Sequence, residues 1–271
     1  MSVVVERIST GVPGLDRILS GGIPKGFLVA LAGEPGTGKT ILCIHFVAVG
    51  LQVGDPCVYV TTEESRESVI RQAAQFGFDF QSGIRAGKLI LIDALMREKD
   101  RWSLQSLDIE ELVQKVIDAK KKLGRGHARL VIDSMSAFWL DRPAMARRYS
   151  YQVKRVLTQW NFTIMATTQY AITTAEAFGF GLEHIADGII RFRKRLIGGR
   201  LCRFIICEKM RQTPHDLRAY EIDIIDGRGL VVKHPLRFRV EDTRLPYVVL
   251  SRILRAKRRA EEGLTPRDRQ E

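Results

Sequence analysis

The sequence has little that would support cysteine-based metal sites, disulfide cross-links or membrane insertion. Its four cysteines are scattered through apolar segments, and no two have the C-x-x-C spacing of a zinc or redox site. They indicate small core residues in a reducing compartment. No uncharged apolar stretch reaches the length of about 18 residues that a membrane span needs, and the first residues lack the pattern of a secretory signal. We expect a cytoplasmic protein without membrane association.

Asparagine is also scarce. Asn161 is the only asparagine in 271 residues, and a low content of thermolabile amides is typical of thermophilic proteins. Basic residues outnumber acidic ones, which gives a formal net charge of +12. This charge favours an acidic partner, of which nucleic acid is the commonest, although a generally basic soluble surface is the alternative.

A complete Walker A pattern, G-x-x-x-x-G-K-[ST], occupies residues 33–40. An apolar run at 27–32 precedes it and an apolar, helix-length run at 41–49 follows it, which is the strand, loop and helix context that this motif requires. Its glycines let successive backbone N–H groups point at a phosphate. Lys39 would reach the β- and γ-phosphates of ATP, and the Thr40 hydroxyl would bind Mg²⁺. The predicted nucleotide-binding residues here are Gly33, Glu34, Pro35, Gly36, Thr37, Gly38, Lys39, Thr40 and Ile41.

A buried strand at residues 130–133 ends in a carboxylate, Asp133. An Asp at the carboxyl end of a parallel strand is a Walker B candidate that holds Mg²⁺, so Asp133 joins Thr40 as a predicted metal ligand. An Asp that merely begins a turn is the alternative, and the Walker A motif makes it the weaker one.

Polar side chains also follow two other predicted strands. Glu63 and Glu64 come directly after the strand at 57–61, where a carboxylate could orient and deprotonate the attacking water. Capping of the next helix is the alternative role, and the sequence leaves open which residue is the base, with Glu64 favoured. Gln169 ends the strand at 163–168 and could sense the γ-phosphate, or could simply be a polar strand terminus.

Predicted strands and helices alternate up to residue 168, which indicates parallel β-α-β units in one sheet. The strands that follow are joined without helices, so they predict an antiparallel extension. We therefore expect an α/β domain at residues 1–235, followed by a basic extension at 236–271 with a disordered end. The predicted strands are 3–8, 27–32, 57–61, 89–93, 130–133, 163–168, 188–192, 201–208, 220–225 and 230–233. The predicted helices are 15–19, 41–49, 65–76, 109–123, 143–160 and 253–262.

Several of these segments together resemble the KaiC-like ATPases of the RecA superfamily, over roughly residues 3–235. They are the T-G-V-P-G-L-D-R-I-L run at 10–19, the G-G-I-P-K-G run at 21–26, the Walker loop, T-T-E-E at 61–64, D-S at 133–134, A-D-G at 186–188 and K-M-R at 209–211. Segments 147–150 and 177–181 are most similar to the single-domain archaeal RadA paralogues.

The resemblance implies a RecA-type P-loop NTPase core, ATP with Mg²⁺, and a homo-oligomer with ATP at subunit interfaces. Lys209 and Arg211 match the pair that completes a neighbouring subunit's ATP site, and their spacing places both on one side of an extended chain. The branch is associated with single-stranded DNA and with the RadA recombinase. We expect a slow ATPase that modulates homologous recombination or DNA repair. The alternative is an ATP-dependent signalling or assembly switch that acts through protein partners without DNA.

RecA-type proteins carry DNA on the loops that follow the Walker B strand and the Gln169 strand, and here both loops contain aromatic residues, which could stack on unpaired bases. Packing in the core or against another subunit is the alternative for Phe138 and Trp139. The predicted DNA-binding residues are Phe138, Trp139, Arg142, Phe178, Phe180, Arg193 and Arg195. The last two belong to a basic hairpin with Arg191, Lys194 and Arg200 that could contact phosphates.

Overall fold

The computed structural model describes residues 5–94, 100–139, 143–169 and 181–236. Its strands are Arg7–Ile8 (β1), Ile23–Pro24 (β2), Leu28–Gly33 (β3), Cys57–Thr61 (β4), Leu89–Asp93 (β5), Ala128–Asp133 (β6), Phe162–Thr168 (β7), Gly188–Ile197 (β8), Arg200–Met210 (β9), Tyr220–Ile225 (β10) and Gly229–Pro235 (β11). Its α-helices are Pro13–Ile18 (α1), Lys39–Gln52 (α2), Arg66–Gln75 (α3), Phe80–Arg85 (α4), Ile109–Leu123 (α5), Ala146–Leu157 (α6) and Leu182–Ile185 (α7).

Nine strands form one sheet in the order β11-β10-β9-β8-β3-β7-β6-β4-β5, and β1 pairs with β2 in a separate ribbon. The six strands from β8 to β5 run parallel, so their carboxyl ends meet at one edge. The register places Thr61 opposite both Asp93 and Asp133, and Gly33 opposite Phe192. The sequence-based prediction of a mainly parallel α/β sheet is confirmed, and this edge collects the strand ends that carry the predicted site.

The antiparallel extension is also confirmed, with one correction at its start. Strand β8 was predicted as part of the extension, but it pairs parallel with β3 on one side and antiparallel with β9 on the other. The reason is that the chain has returned to the amino end of the sheet before β8 begins, where Asp187 N donates to Leu28 O at 2.8 Å. Strands β9, β10 and β11 then continue by hairpin connections.

Each face of the sheet is covered by its own helices, and both faces are buried in the parallel half. We call face A the side that carries Leu31, Tyr59 and Val131, which packs against α1 to α4. Face B carries Ala30, Val60 and its neighbours and packs against α5 to α7. Burial on both sides explains why these strands read as continuous apolar runs rather than as alternating ones.

The glycine-rich segment before β2 packs against α2, the helix that follows the Walker loop. The hydroxyl and the backbone N–H of Thr10 donate to Asp16 at 2.6 and 2.8 Å, which fixes the turn into α1. Gly11 has φ 82°, and a Cβ there would lie 2.4 Å from the carbonyl oxygen of His45 on α2. His45 Nε2 accepts from Leu230 N at 2.9 Å, and its Nδ1 lies 3.2 Å from Gly11 O. One neutral histidine therefore joins the N-terminal segment, α2 and β11.

One helix was not predicted and another has different bounds from its prediction. Residues 80–85, for which no element was predicted, form α4, whose cap Asp79 accepts from Ser82 N at 2.9 Å. The helix predicted at 143–160 is α6 flanked by 3-10 turns, and Asn161 at φ 58° follows it. The predicted helix at 253–262 lies outside the described residues, as does the rest of the predicted extension after Leu236.

Of the helices that the structure describes, none has the length and apolar character that crossing a bilayer requires.

Acidification should destabilise this fold through His45. Burial lowers the pKa of His45 below its usual value of 6.5. As the pH falls below about 6.5, the unfolded chain binds a proton that folded His45 resists, so the free energy of unfolding falls until the lowered pKa is passed. We expect the guanidinium midpoint to drop between about pH 7.5 and pH 5.5.

His45→Leu should weaken that pH dependence while costing about 1–3 kcal/mol at neutral pH, because the buried Leu230 N–H loses its acceptor. Burial also lowers the pKa of His127, so His127→Gln is the control that leaves the contribution of His45 in place. An unchanged pH dependence in His45→Leu would contradict this assignment.

Candidate functional site

The loop between β3 and α2 has the backbone shape that phosphate binding needs. Gly36 and Gly38 have φ values of 74° and 105°, in the region that glycine alone adopts freely. A Cβ at Gly33 would lie 2.4 Å from Phe192 O, so only glycine allows this approach of β3 to β8. Helix α2 begins at Lys39 and has 14 residues, and its first turn contains Thr40 and Ile41. The amino end of such a helix favours an anion.

Lys39 supplies a buried cation inside this loop. Only 7% of its surface is exposed, and its Nζ donates to Gly33 O and Glu34 O, at 2.8 Å each. Burial lowers the pKa of Lys39, while the charges of Asp133 and Glu63 act in the opposite direction. The ammonium therefore donates to neutral carbonyl oxygens and lies close to two carboxylates, and it is the charged donor that an incoming phosphate would need.

Asp133 lies on face A at the carboxyl end of β6, under the amino end of α2. Its carboxylate accepts from Tyr59 Oη at 3.1 Å and from Thr167 Oγ1 at 2.6 Å, so one oxygen is fixed by each neighbouring strand. Burial and the charge of Asp133 raise the pKa of Tyr59 well above its usual value, which keeps the phenol protonated as a donor. The Asp133–Ser134 peptide bond is cis.

A divalent cation at this position would depend on few protein ligands. The described residues contain no cluster of three or more His, Cys, Asp or Glu side chains that could hold a metal ion. Asp133 and the Thr40 hydroxyl are the predicted ligands, and this pair fits Mg²⁺, which is usually bound through one or two protein groups, water and substrate phosphates.

Glu63 and Gln169 meet above the carboxyl edge of the sheet. The Gln169 side-chain amide donates to both oxygens of the Glu63 carboxylate, at 2.7 Å each. The backbone N–H of Gln169 donates to Ser136 Oγ at 2.8 Å, which anchors the end of β7 to the segment after Asp133. Glu63 is exposed and contributes to the electrostatic environment of Lys39. These contacts link three strand ends at one point.

The side chain of Glu64 points toward helix α3. Its carboxylate accepts from Ser68 Oγ at 2.6 Å and from the side-chain amide of Gln72, both of them on α3. The helix itself is capped by Ser65, which accepts from Ser68 N at 3.2 Å. Glu64 is therefore engaged by the side chains of the following helix, whereas Glu63 is engaged by Gln169 and its charge acts on Lys39.

Lys209 and Arg211 lie at the other end of the sheet from the Walker loop. Lys209 pairs across from Ile189 near the start of β8, and its Nζ donates to Ala186 O at 2.6 Å. Arg211 lies just beyond β9, with Nη1 3.3 Å from Asp187 Oδ1. The six residues of β3 span about 16 Å at the rise of a parallel strand. The pair therefore cannot reach the nucleotide loop of its own subunit in this arrangement.

Two cations on the β8–β9 hairpin contact the Walker loop, and the sequence analysis did not assign them to it. Lys194 Nζ donates to Pro35 O at 2.8 Å and lies 3.7 Å from Glu34 Oε2. Arg203 Nε donates to Gly36 O at 3.0 Å. Lys194 and Arg203 are cross-strand partners, so the hairpin register alone brings them together. Only that register could have revealed them, because the sequence separates them by nine positions.

The predicted DNA-binding residues divide into three groups. Phe138 and Trp139 are only 5% and 9% exposed and pack in the core on face B, so the core alternative replaces base stacking for these two residues. Arg193 and Arg195 are exposed, and as alternate residues of β8 they share face B. Arg142, Phe178 and Phe180 lie outside the described residues.

Comparison with known proteins agrees with this geometry. A family model described as "ATPase: KaiC" matches residues 8–237. The chain belongs to the KaiC ATPase family. A UPF0273 protein of Thermotoga maritima is 36% identical over 84% of this chain and 96% of its own, and one of Aeropyrum pernix is 38% identical over 84% and 94%. The solved structure of the KaiC-like protein PH0186 from Pyrococcus horikoshii OT3 superimposes with a TM-score of 0.73 at 29% identity, over 85% of this chain and all of that one.

Membership of the KaiC family supports nucleotide-dependent ATPase activity for this chain. The relatives carry names that state no substrate, partner or catalytic residue. The finer description of the activity therefore depends on the geometry of the site.

Proposed function

We propose that this KaiC-family protein hydrolyses ATP with Mg²⁺ at the Walker loop, works as a homo-oligomer, and associates with single-stranded DNA. The observation that carries the ATPase proposal is the convergence of six groups at one edge of the sheet. They are the loop amides and the buried ammonium of Lys39, the Thr40 hydroxyl, the Asp133 carboxylate, the Glu63 carboxylate and the Gln169 amide.

The reaction divides among these groups by their chemistry. The loop amides and Lys39 would stabilise the charge that develops on the phosphate oxygens. Asp133 and Thr40 would hold Mg²⁺, which when bound would supply further positive charge to stabilise the phosphates. Glu63 would orient a water and accept its proton as the oxygen bonds to the γ-phosphorus and the bond to ADP breaks. Gln169 would hold Glu63 and respond to the γ-phosphate.

The geometry favours Glu63 over Glu64 as the base, in contrast to the preference drawn from the sequence. A base must have a carboxylate oxygen directed at the reacting centre. Glu63 meets Gln169 at the carboxyl edge and lies close enough to Lys39 to affect its pKa, whereas Oε2 of Glu64 accepts from Ser68 and Gln72 on α3. We assign to Glu64 the positioning of the turn between β4 and α3.

Replacement of the two glutamates by glutamine should separate these roles. We expect Glu63→Gln to lower kcat about 10²–10⁴-fold, because a glutamine cannot accept the water's proton, with little change in the Kd for ATP. Glu64→Gln should lower kcat less than about tenfold, since Ser68 can still donate to the new amide. Single-turnover phosphate release and fluorescence titration with labelled ATP measure the two quantities.

Lys39→Ala is the control for the site as a whole and should remove both turnover and tight ATP binding. Full activity in Lys39→Ala would exclude the Walker loop as the active site. A large loss in Glu64→Gln together with a small one in Glu63→Gln would return the role of base to Glu64.

The positions of Lys209 and Arg211 support a homo-oligomer. Both lie at the amino end of the parallel strands, whereas the Walker loop lies at the carboxyl end. Burial lowers the pKa of Lys209, and Arg211 remains largely exposed beside Asp187. A second subunit stacked end to end would bring this pair to the first subunit's Walker loop, as the trans-acting pair of the family resemblance implies.

Mixing two inactive variants tests this arrangement. Lys39→Ala subunits lack a working loop and Arg211→Ala subunits lack the trans cation, so each alone should show little turnover. In an equimolar mixture, about a quarter of the interfaces would combine an intact loop with an intact Arg211, and ATPase activity should return to that extent. No recovery from folded, co-assembled subunits would show that Arg211 acts within its own chain or not at all.

The DNA part of the proposal is supported by charge and by the geometry of β8. The chain has a net charge of +12, and Arg193 and Arg195 are exposed side by side on face B, the face opposite Lys194. Such a pair suits the phosphates of a single strand. A role in recombination and contact with the RadA recombinase stay predictions from the family resemblance.

Salt dependence should identify phosphate contacts. We expect wild type to bind single-stranded oligonucleotide at low salt, and Arg193→Ala with Arg195→Ala to reduce the slope of log K against log salt by about 0.7 for each lost contact. Arg71→Ala with Arg85→Ala removes the same charge from α3 and α4 on face A and should leave the slope unchanged. Absence of binding even at low salt would favour the alternative, a nucleotide-dependent switch that acts through protein partners.

A further inference from the structure

The outer side of the Walker loop is held by two charged donors from a hairpin that lies far along the chain. Lys194 donates to Pro35 O at 2.8 Å and Arg203 donates to Gly36 O at 3.0 Å. Both side chains are on face A and are directly opposite each other in the β8–β9 register. Two consecutive peptide groups of the loop therefore each receive one charged hydrogen bond from outside.

The consequence follows from the planarity of the peptide group. In a trans peptide the C=O and the next residue's N–H point in opposite directions within one plane. A donor that fixes Pro35 O therefore also fixes the direction of Gly36 N–H, and one that fixes Gly36 O fixes Thr37 N–H. Because carbonyls held from outside leave the amides pointing inward, the hairpin sets the orientation of two of the loop's phosphate donors.

Charge strengthens this effect. Hydrogen bonds from a lysine or arginine are stronger than neutral ones, and a polarised peptide group is a better donor at its other end. A Cβ at Gly36 would meet nothing within 4 Å and its φ is 74°, so the loop is not packed closely against other atoms at this position. The two external donors thus hold a part of the loop that side-chain packing does not hold.

We propose that Lys194 and Arg203 are positioning residues that orient the Gly36 and Thr37 amides and so set the affinity of the Walker loop for the phosphates of ATP. This inference rests on the proposed ATP-binding function. It assigns Lys194 to the nucleotide loop rather than to the DNA surface predicted from the sequence. It also separates the two faces of the hairpin, with the loop contacts on face A and Arg193 and Arg195 on face B.

The variants Lys194→Met and Arg203→Met remove the donors and keep most of the aliphatic bulk. Each should raise the Kd and KM for ATP about three- to tenfold with kcat changed less than about threefold, because aligned amides bind phosphate in both the ground and transition states. Lys194→Arg and Arg203→Lys keep a donor and should stay close to wild type. Lys121→Met is the matched control, since Lys121 is an exposed lysine on α5 that pairs with Asp118.

Two further measurements separate positioning from general charge attraction. Hydrogen–deuterium exchange of peptides covering residues 33–40, without added nucleotide, should be faster in both methionine variants than in wild type and Lys121→Met. The increase in Kd should also persist at about 0.5 M salt, where attraction between exposed charges is largely screened.

Wild-type exchange rates in the loop of either methionine variant, or a Kd difference that disappears at high salt, would overturn the positioning role. Failure of the positioning role can be distinguished from failure of the proposed ATPase function. If wild type binds ATP and the methionine variants bind it equally well, only this inference fails. If wild type binds no ATP, the ATPase proposal fails as well.

Discussion

A buried ammonium is the constraint on which the site depends. Burying a charge costs several kcal/mol unless other groups compensate for it. Lys39 is compensated by carbonyls at 2.8 Å from the loop itself and by the nearby carboxylates of Asp133 and Glu63. The same two carboxylates are the ones that magnesium binding and water activation would use. Under the proposed function, the groups that compensate for the buried charge would therefore also serve catalysis, because polar groups arranged in advance need not reorganise during the reaction.

Strands β8 to β11 border the nucleotide-binding loop, so they are part of the candidate site and not only an edge of the sheet. Strand β8 approaches β3 so closely that Gly33 has no room for a side chain beside Phe192. Strand β11 donates to His45 on α2, and a Cβ at Gly38 would lie 3.6 Å from Leu230. Together with the hairpin contacts to the loop, these packing relations let the extension fix the position of the amino end of α2. Changes in the extension can thus reach the nucleotide loop directly.

The sequence predicted the elements that depend on local residue patterns. It did not predict the elements and side-chain roles that depend on contacts between residues far apart in the chain. Apolar periodicity and the Walker spacing predicted β4, β5, α5 and the loop closely. Helix α4 was missed because it has six residues with Gly83 inside it, a pattern that reads as loop without its packing partners. The sequence could not separate Glu63 from Glu64, since they differ only in where their side chains point. Lys194 and Arg203 needed the cross-strand register, which the Gly198 and Gly199 turn sets and which the sequence analysis did not derive.

The opposite placement of the Walker loop and Arg211 also limits how subunits could assemble around ATP. A two-fold symmetric dimer uses the same surface of both subunits, so it could join loop to Arg211 only if that one surface contains both ends and the subunits lie antiparallel. A head-to-tail contact joins the two unlike ends directly. Such contacts continue from subunit to subunit, into a ring if the rotation closes and into a filament if it does not. Under the proposed mechanism, then, each catalytic site belongs to a pair of subunits, and the number of working sites depends on how the assembly ends.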